Sequence, residues 1–128
     1  MRNKRNSLFV IAVFLFASFM VSAAENPADS KVVKMPGDVK AIIDKSCFGC
    51  HNNDSKNDKA KEKLNLSTFD TLTKNKMIAA YKGMAEAVEE NEMPPAKFLE
   101  KFPDKKLTDT EKKVLMDWAN NEAKSLLK

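Results

Sequence analysis

Five consecutive residues, Cys47-Phe48-Gly49-Cys50-His51, are the part of this chain best suited to chemistry. They form the pattern C-x-x-C-H, which is typical of the covalent attachment of c-type haem. Each thiol can form a thioether with one of the porphyrin's two vinyl groups, and the histidine can bind the iron through one imidazole nitrogen. The 128 residues contain no other cysteine or histidine. We therefore predict one haem c, attached through Cys47 and Cys50, with His51 as the proximal iron ligand.

Three other uses of this pattern fit the sequence less well. A redox-active C-x-x-C normally lies at the start of a helix in a strand–helix–strand context, and no such alternation surrounds this one. A structural zinc site needs four ligands, whereas the chain offers two thiols and one imidazole, so a carboxylate would have to complete it. A disulfide between Cys47 and Cys50 would close a very small loop and leave His51 without a role.

The first 24 residues are typical of a secretory signal peptide. Arg2, Lys4 and Arg5 form its positively charged start, and an apolar run of 14 residues extends from Leu8 to Val21. This run is shorter than the roughly 20 residues that span a bilayer as a helix. We therefore expect a periplasmic protein with no stable membrane insertion after cleavage. The alternative is a membrane anchor formed by an uncleaved N-terminal segment.

Removal of the signal changes the charge of the protein. The full chain has a net charge of +4, but cleavage leaves 19 of its 22 basic residues against 18 acidic ones, a net charge of +1. The basic character is thus largely a feature of the signal, and we do not expect nucleic-acid binding. Residues 25–36 are predicted to be a flexible tether, and residues 37–128 one small monohaem domain, which we expect to be a monomer.

The apolar periodicity of the mature chain predicts an all-α fold. A first helix from Asp38 should lead into the haem motif, and residues 52–63 form a charged stretch, either a solvated loop or a partner-facing one. Ser67 is predicted to cap a short helix at 68–74. The remaining expectations are a helix from Asn75 to about Asn91, an extended segment to Leu107, and a last helix that Thr108 and Glu111 open with a capping box.

The second axial ligand follows largely by elimination. No second histidine exists, and five methionines remain after the signal is removed: Met35, Met77, Met84, Met93 and Met116. Met77 and Met84 lie seven residues apart on one predicted helix, which is the spacing of ordinary core packing. Met93 alone directly precedes a Pro-Pro pair, whose rings restrict the backbone around it. We predict Met93 as the sixth ligand; a core-filling role for Met93, lysine ligation and an open site are the alternatives.

These motifs together resemble a known family. The order of helix, C-x-x-C-H, Met-Pro-Pro segment and C-terminal helix is similar in outline to small class I cytochromes c. The closer likeness is to the bacterial haem-binding domain family, often found as small exported monohaem cytochromes. It extends over roughly residues 38–120 and is carried by Cys47-x-x-Cys50-His51, Leu64-Asn65-Leu66-Ser67-Thr68-Phe69, Glu92-Met93-Pro94-Pro95 and the stretch from Lys106 to Trp118. Two features depart from the family: Phe102 stands where members often carry a histidine, and residues after His51 lack the usual proline–aromatic element.

The resemblance implies a cytochrome c-like helical domain wrapped around one covalently attached haem. We interpret the chain as a one-electron carrier, not an enzyme, whose partners are redox proteins of unknown identity. Lys97, Lys101, Lys105 and Lys106 are either a weak docking patch or scattered surface lysines. The alternative function is a haem-based sensor or gas-binding module with a displaceable or absent sixth ligand. A peroxidase-like enzyme is disfavoured because no distal histidine is available for acid–base work.

Overall fold

The structure is a computed structural model, and it describes residues 35–128. Within that range every regular element is helical, which confirms the all-α prediction. The α-helices are α1 (Gly37–Ser46), α2 (Asp58–Lys63), α3 (Lys74–Glu89), α4 (Ala96–Leu99) and α5 (Asp109–Leu126), and two 3₁₀ helices span Leu66–Thr71 and Pro103–Lys105. The predicted signal peptide, and the tether as far as residue 34, lie outside the described residues. No helix of residues 35–128 is both long and apolar enough to cross a bilayer.

The long helices α3 and α5 pack against each other and supply most of the core. Three aromatic rings line this interface: Phe69 packs edge-on to Tyr81 at 5.0 Å between centroids, and Tyr81 packs edge-on to Trp118 at 5.2 Å. Such edge-to-face pairs stabilise a core beyond the area that they bury. Leu115 is fully buried beside them. Trp118 thus anchors α5 against α3 in the core.

Helix α1 completes the core and leads directly to the haem motif. Its buried face, formed by Val39, Ile42 and Ile43, joins the same core cluster, and Met35 packs against that cluster just before the helix. At the other end of α1, Ser46 Oγ donates a hydrogen bond of 2.8 Å to the carbonyl oxygen of Lys105. The end of α1 is therefore held at a defined place when the chain enters the cysteine motif.

A largely covered ion pair also ties α1 to the start of α5. Lys45 Nζ lies 2.5 and 2.6 Å from the two carboxylate oxygens of Glu111, and each side chain is a little over one-quarter exposed. Glu111 Oε2 also accepts a hydrogen bond of 2.8 Å from the backbone N–H of Thr108, while Thr108 Oγ1 accepts one from the Glu111 N–H. The predicted capping box is confirmed. Its Glu111 carboxylate also binds Lys45 of α1, the helix that leads to the haem motif.

Several predicted elements differ from the structure in kind or in their bounds. The 3₁₀ helix over Leu66–Thr71 replaces the helix predicted at 68–74, and its N-cap is Asn65, whose Oδ1 accepts from Ser67 N–H, instead of Ser67. Helix α3 begins at Lys74, one residue before the predicted start. The segment predicted to be extended up to Leu107 contains α4 and a second 3₁₀ helix. Short helices of this kind have too few turns to show a periodic apolar face.

Candidate haem site

The cysteine motif forms a compact turn at the end of α1. Cys47 is the C-cap of the helix, and its N–H donates to the Ile43 carbonyl at 2.8 Å. The N–H groups of Cys50 and His51 both donate to the Cys47 carbonyl at 3.1 Å. Both cysteines are half-buried with free thiols, and Phe48 between them is exposed. The two predicted attachment thiols and the predicted iron ligand therefore lie on one turn.

The His51 ring is buried and held in one orientation by backbone carbonyls. Nδ1 lies 2.9 Å from the Leu64 oxygen and 3.0 Å from the Ala60 oxygen, and the residue is 8% exposed. Because a carbonyl can only accept a hydrogen bond, Nδ1 must carry the proton. The lone pair of the neutral ring is then on Nε2, which is the arrangement of a histidine that binds a metal through Nε2.

Helix α2 supplies one of those carbonyls, and sequence periodicity did not reveal it. The helix is six residues long, and Ala60 is its buried residue. Asn57 caps it by accepting a hydrogen bond of 3.1 Å from Ala60 N–H, and Lys61 and Lys63 lie in its last turn, where a positive charge is favourable. The local feature of the sequence that indicates this helix is Asn57-Asp58, an N-cap residue followed by an acidic residue in the first turn. The stretch at 52–63 therefore has a structural role in positioning His51.

The loop between His51 and the first 3₁₀ helix is closed by its own hydrogen bonds. Leu66 N–H donates to the His51 carbonyl at 2.9 Å. Asn65 Nδ2 donates to Asn53 Oδ1 at 2.7 Å, and Asn53 N–H donates to Ser67 Oγ at 3.3 Å. These contacts hold the backbone of His51 in addition to the carbonyls that hold its ring.

The environment of the thiols argues against the alternative uses of the motif. Burial, with a smaller contribution from Cys50, raises the pKa of the Cys47 thiol to about 11. Redox-active C-x-x-C pairs instead lower the pKa of the attacking thiol, because the thiolate is the nucleophile. Within residues 35–128, moreover, no three His, Cys, Asp or Glu side chains are grouped closely enough to hold a metal ion.

Met93 lies on a short segment, Asn91–Pro95, which we call the Met93 strap. The strap begins with a Schellman motif that ends α3, in which Asn91 has φ of 60°. The Asn91 N–H donates to Val88 O at 3.2 Å, and the Glu92 N–H donates to Ala87 O at 2.9 Å. Met93 N–H also reaches Ala87 O, at 3.2 Å. The strap is thus fastened to the end of α3, and Pro94, joined to Met93 by a cis peptide bond, is buried.

The methionines divide into two groups by their packing. Met77 and Met84 belong to the buried core, and Met35 and Met116 pack against it. Met93 is half-buried and is not part of that core cluster or packed on it. Within the described residues no hydrogen bond joins the strap to the cysteine turn. Met93 is therefore the methionine whose side chain is not already used in the protein core.

The fold and this turn define a small all-α domain whose histidine is prepared to bind a metal centre through Nε2. A family model described as a haem-binding domain matches residues 55–121, which is more than half of the chain. The chain belongs to the haem-binding domain family, and haem is its cofactor. The matched region includes α2, the carbonyls that hold His51, and the Met93 strap, and it begins just after the cysteine motif. Searches of curated proteins and of solved structures found no match.

Proposed function

We propose that this protein is a monohaem c-type cytochrome that carries single electrons in the periplasm, with His51 and Met93 as the axial ligands of the iron. The observation that supports it most strongly is the state of His51. Its Nδ1 proton is committed to two backbone carbonyls, so that only Nε2 is left to bind, directly after two free thiols on the same turn.

Covalent attachment through Cys47 and Cys50 fits the chemistry of the turn. Each thiol would add across one vinyl group, so that sulfur bonds to the inner vinyl carbon and a proton goes to the outer one, with no net oxidation or reduction. Burial of the Cys47 thiol in its neutral form disfavours its competing oxidation. Attachment would leave the exposed Phe48 at the rim of the porphyrin, where a partner could approach.

Met93 supports a carrier function in preference to a catalytic one. With His51, a Met93 thioether would hold the iron and favour its reduced state, which would raise the potential. The role of the protein is then to hold both ligands, exclude water and leave one edge of the group accessible. His51 is the only histidine of the chain, and its Nδ1 is already hydrogen-bonded, so no imidazole is free for proton transfer at a bound substrate.

The export signal predicted from residues 1–24 supports a periplasmic location. Covalent haem attachment in bacteria takes place outside the cytoplasmic membrane, and such a signal would deliver the chain there. Expression of the full chain, followed by fractionation and N-terminal sequencing of the periplasmic product, tests this part. A haem-bearing product that stays in the membrane with residues 1–24 intact would contradict the periplasmic location and favour a membrane anchor formed by the uncleaved N-terminal segment.

Covalent attachment is tested by acid-acetone extraction of the purified protein. In the wild type the colour should stay with the polypeptide, and Cys47→Ala, which retains one thioether, should keep colour with a shifted reduced band. The double variant with Cys47→Ala and Cys50→Ala should lose all of its haem in the extraction. Haem that resists extraction in the double variant would refute attachment through these thiols.

Ligation by Met93 is tested with Met93→Ala. The variant should keep its covalent haem, lose the sulfur-to-iron charge-transfer band of the ferric protein, have a lower potential and bind carbon monoxide rapidly. Met116→Ala is the matched control, because it removes the same atoms from a methionine that packs on the core. If Met93→Ala and wild type had the same ferric spectrum and carbon monoxide affinity, the gas-binding sensor would become the better hypothesis.

A further inference from the structure

A side-chain hydrogen bond joins the Met93 strap to helix α5. Lys112 Nζ donates a hydrogen bond of 2.5 Å to Oδ1 of Asn91, the residue in the left-handed conformation that ends α3. Asn91 Nδ2 donates in turn to the Glu89 carbonyl at 3.3 Å. The amide of Asn91 therefore bridges the last turn of α3 and a cation of α5.

Lys112 is well placed to act as a fixed support. Its side chain is only 25% exposed, and its Nζ lies 3.8 Å from Asp109, one turn earlier on the same helix. Helix α5 is itself anchored by the capping box at its start and by the core residues Leu115 and Trp118. A hydrogen bond from a charged donor is stronger than one between neutral groups, and this one starts from a helix that is packed firmly into the core.

The contact acts on the backbone that leads to Met93. Asn91 is two residues before Met93, and the N–H groups of Asn91, Glu92 and Met93 are all bound to the last turn of α3. If the Met93 sulfur binds the iron, these hydrogen bonds restrict the movement of the strap by which the sulfur would leave it. Buried Pro94 secures the strap on its other side.

We propose that Lys112 is a positioning residue for the sixth iron ligand: by binding Asn91 it holds the turn that carries Met93 and so sets how often the sulfur leaves the iron. This inference rests on the proposed ligation by Met93. In this role Lys112 controls how readily external ligands reach the iron, in addition to stabilising the fold through its contact with Asn91.

The experiment follows imidazole binding to the ferric holoprotein at pH 7 by stopped-flow absorbance. If the sulfur must leave first, Lys112→Met should bind imidazole about three- to ten-fold faster than wild type, the loss expected for a single charge-assisted hydrogen bond at a partly covered site. Lys112→Arg, which keeps a charged donor, should restore most of the slow rate. Lys113→Met is the matched control: it removes the same charge one residue later, from a side chain that is 76% exposed and pairs with Asp117.

Asn91→Gly tests the other partner of the contact. Glycine accepts a positive φ without strain, so the turn is kept while the amide is lost. The variant should match Lys112→Met, and the double variant should be no faster than either, because both changes break one contact. In both single variants the charge-transfer band should be present at room temperature and should disappear on heating well below global unfolding, a separation that a purely structural loss of stability would not produce.

The outcomes separate the two proposals. Equal imidazole rates for wild type and Met93→Ala would remove Met93 from the iron and refute the proposed ligation. If Met93→Ala bound imidazole faster than wild type but Lys112→Met bound it at the wild-type rate, the ligation by Met93 would stand and the role of Lys112 would be overturned. That role would be overturned equally if Lys113→Met accelerated binding as much as Lys112→Met, since the effect would then come from net charge alone.

Discussion

Removal of the Glu111 carboxylate should measurably loosen the connection between α1 and α5. Glu111→Ala loses the ion pair with Lys45 and the hydrogen bond from Thr108 N–H, whose partners lie at 2.5–2.8 Å. A capping interaction contributes about 1 kcal/mol, and an ion pair that is about one-quarter exposed contributes about 0.5–1 kcal/mol. We expect Glu111→Ala to lower the free energy of unfolding by about 1.5–2 kcal/mol, or the Tm by about 10 °C for a domain of this size.

The pH dependence gives this prediction a second, independent test. The hydrogen bond from Lys45 and then that from Thr108 N–H lower the pKa of Glu111 below its usual value of 4.5. The folded protein therefore binds this proton less readily than the unfolded chain, so the stabilisation is complete above about pH 4.5 and is lost as the pH falls through the lowered pKa. The difference in stability between wild type and Glu111→Gln should shrink correspondingly in acid.

The assay is guanidinium unfolding of the holoprotein followed by far-UV circular dichroism at a series of pH values. Asp117→Ala is the control, because its partner Lys113 is on the same helix and both side chains are mostly exposed. It should cost less than about 0.5 kcal/mol. If Glu111→Ala and Asp117→Ala had the same unfolding midpoint, the assigned role of the Lys45–Glu111 pair in the fold would be wrong.

Three further changes test the core and the support of His51. Leu115→Ala, at a fully buried position, should cost about 3 kcal/mol in denaturant unfolding, and a loss under about 1 kcal/mol would contradict its place in the core. Met77→Leu should cost under about 1.5 kcal/mol and leave the haem spectrum unchanged; a lost charge-transfer band would make Met77 the ligand. Asn57→Ala removes the cap of α2 and so loosens the Ala60 carbonyl. We expect it to cost about 1 kcal/mol and to shift the potential measured by redox titration, whereas Asn75→Ala, the same change at an exposed asparagine of α3, should shift it less.

Periodicity was enough to predict the long helices because their faces repeat over many turns. Helix α5, with its capping box, and the core positions of Met77 and Trp118 follow directly from spacing and cap chemistry. For the candidate site, the sequence predicts which residue types take part, since C-x-x-C-H is typical of haem attachment. The orientation of the His51 ring could not be predicted, because backbone carbonyl groups fix it. Every residue has such a group, so the amino-acid sequence does not show which ones take part.

The contact between Lys112 and Asn91 was also hidden from the sequence. Nothing in the spacing of these two residues distinguishes them from neighbouring lysines and asparagines, and they meet only because α3 and α5 pack together. The end of α3 predicted at about Asn91 was close to the observed end at Glu89. The Schellman turn at Asn91 ends the helix before the proline pair can do so.

The carbonyls that hold His51 come from residues only 9 and 13 positions further along the chain. Closing a loop this short costs little chain entropy, and the cost grows only slowly with length. The loop that holds His51 can therefore assemble from local contacts, before the distant pairing of α3 with α5 is made. The Met93 strap, by contrast, is placed by that distant pairing. We expect a folding order in which the histidine loop closes early and the methionine side closes last, when the whole domain condenses.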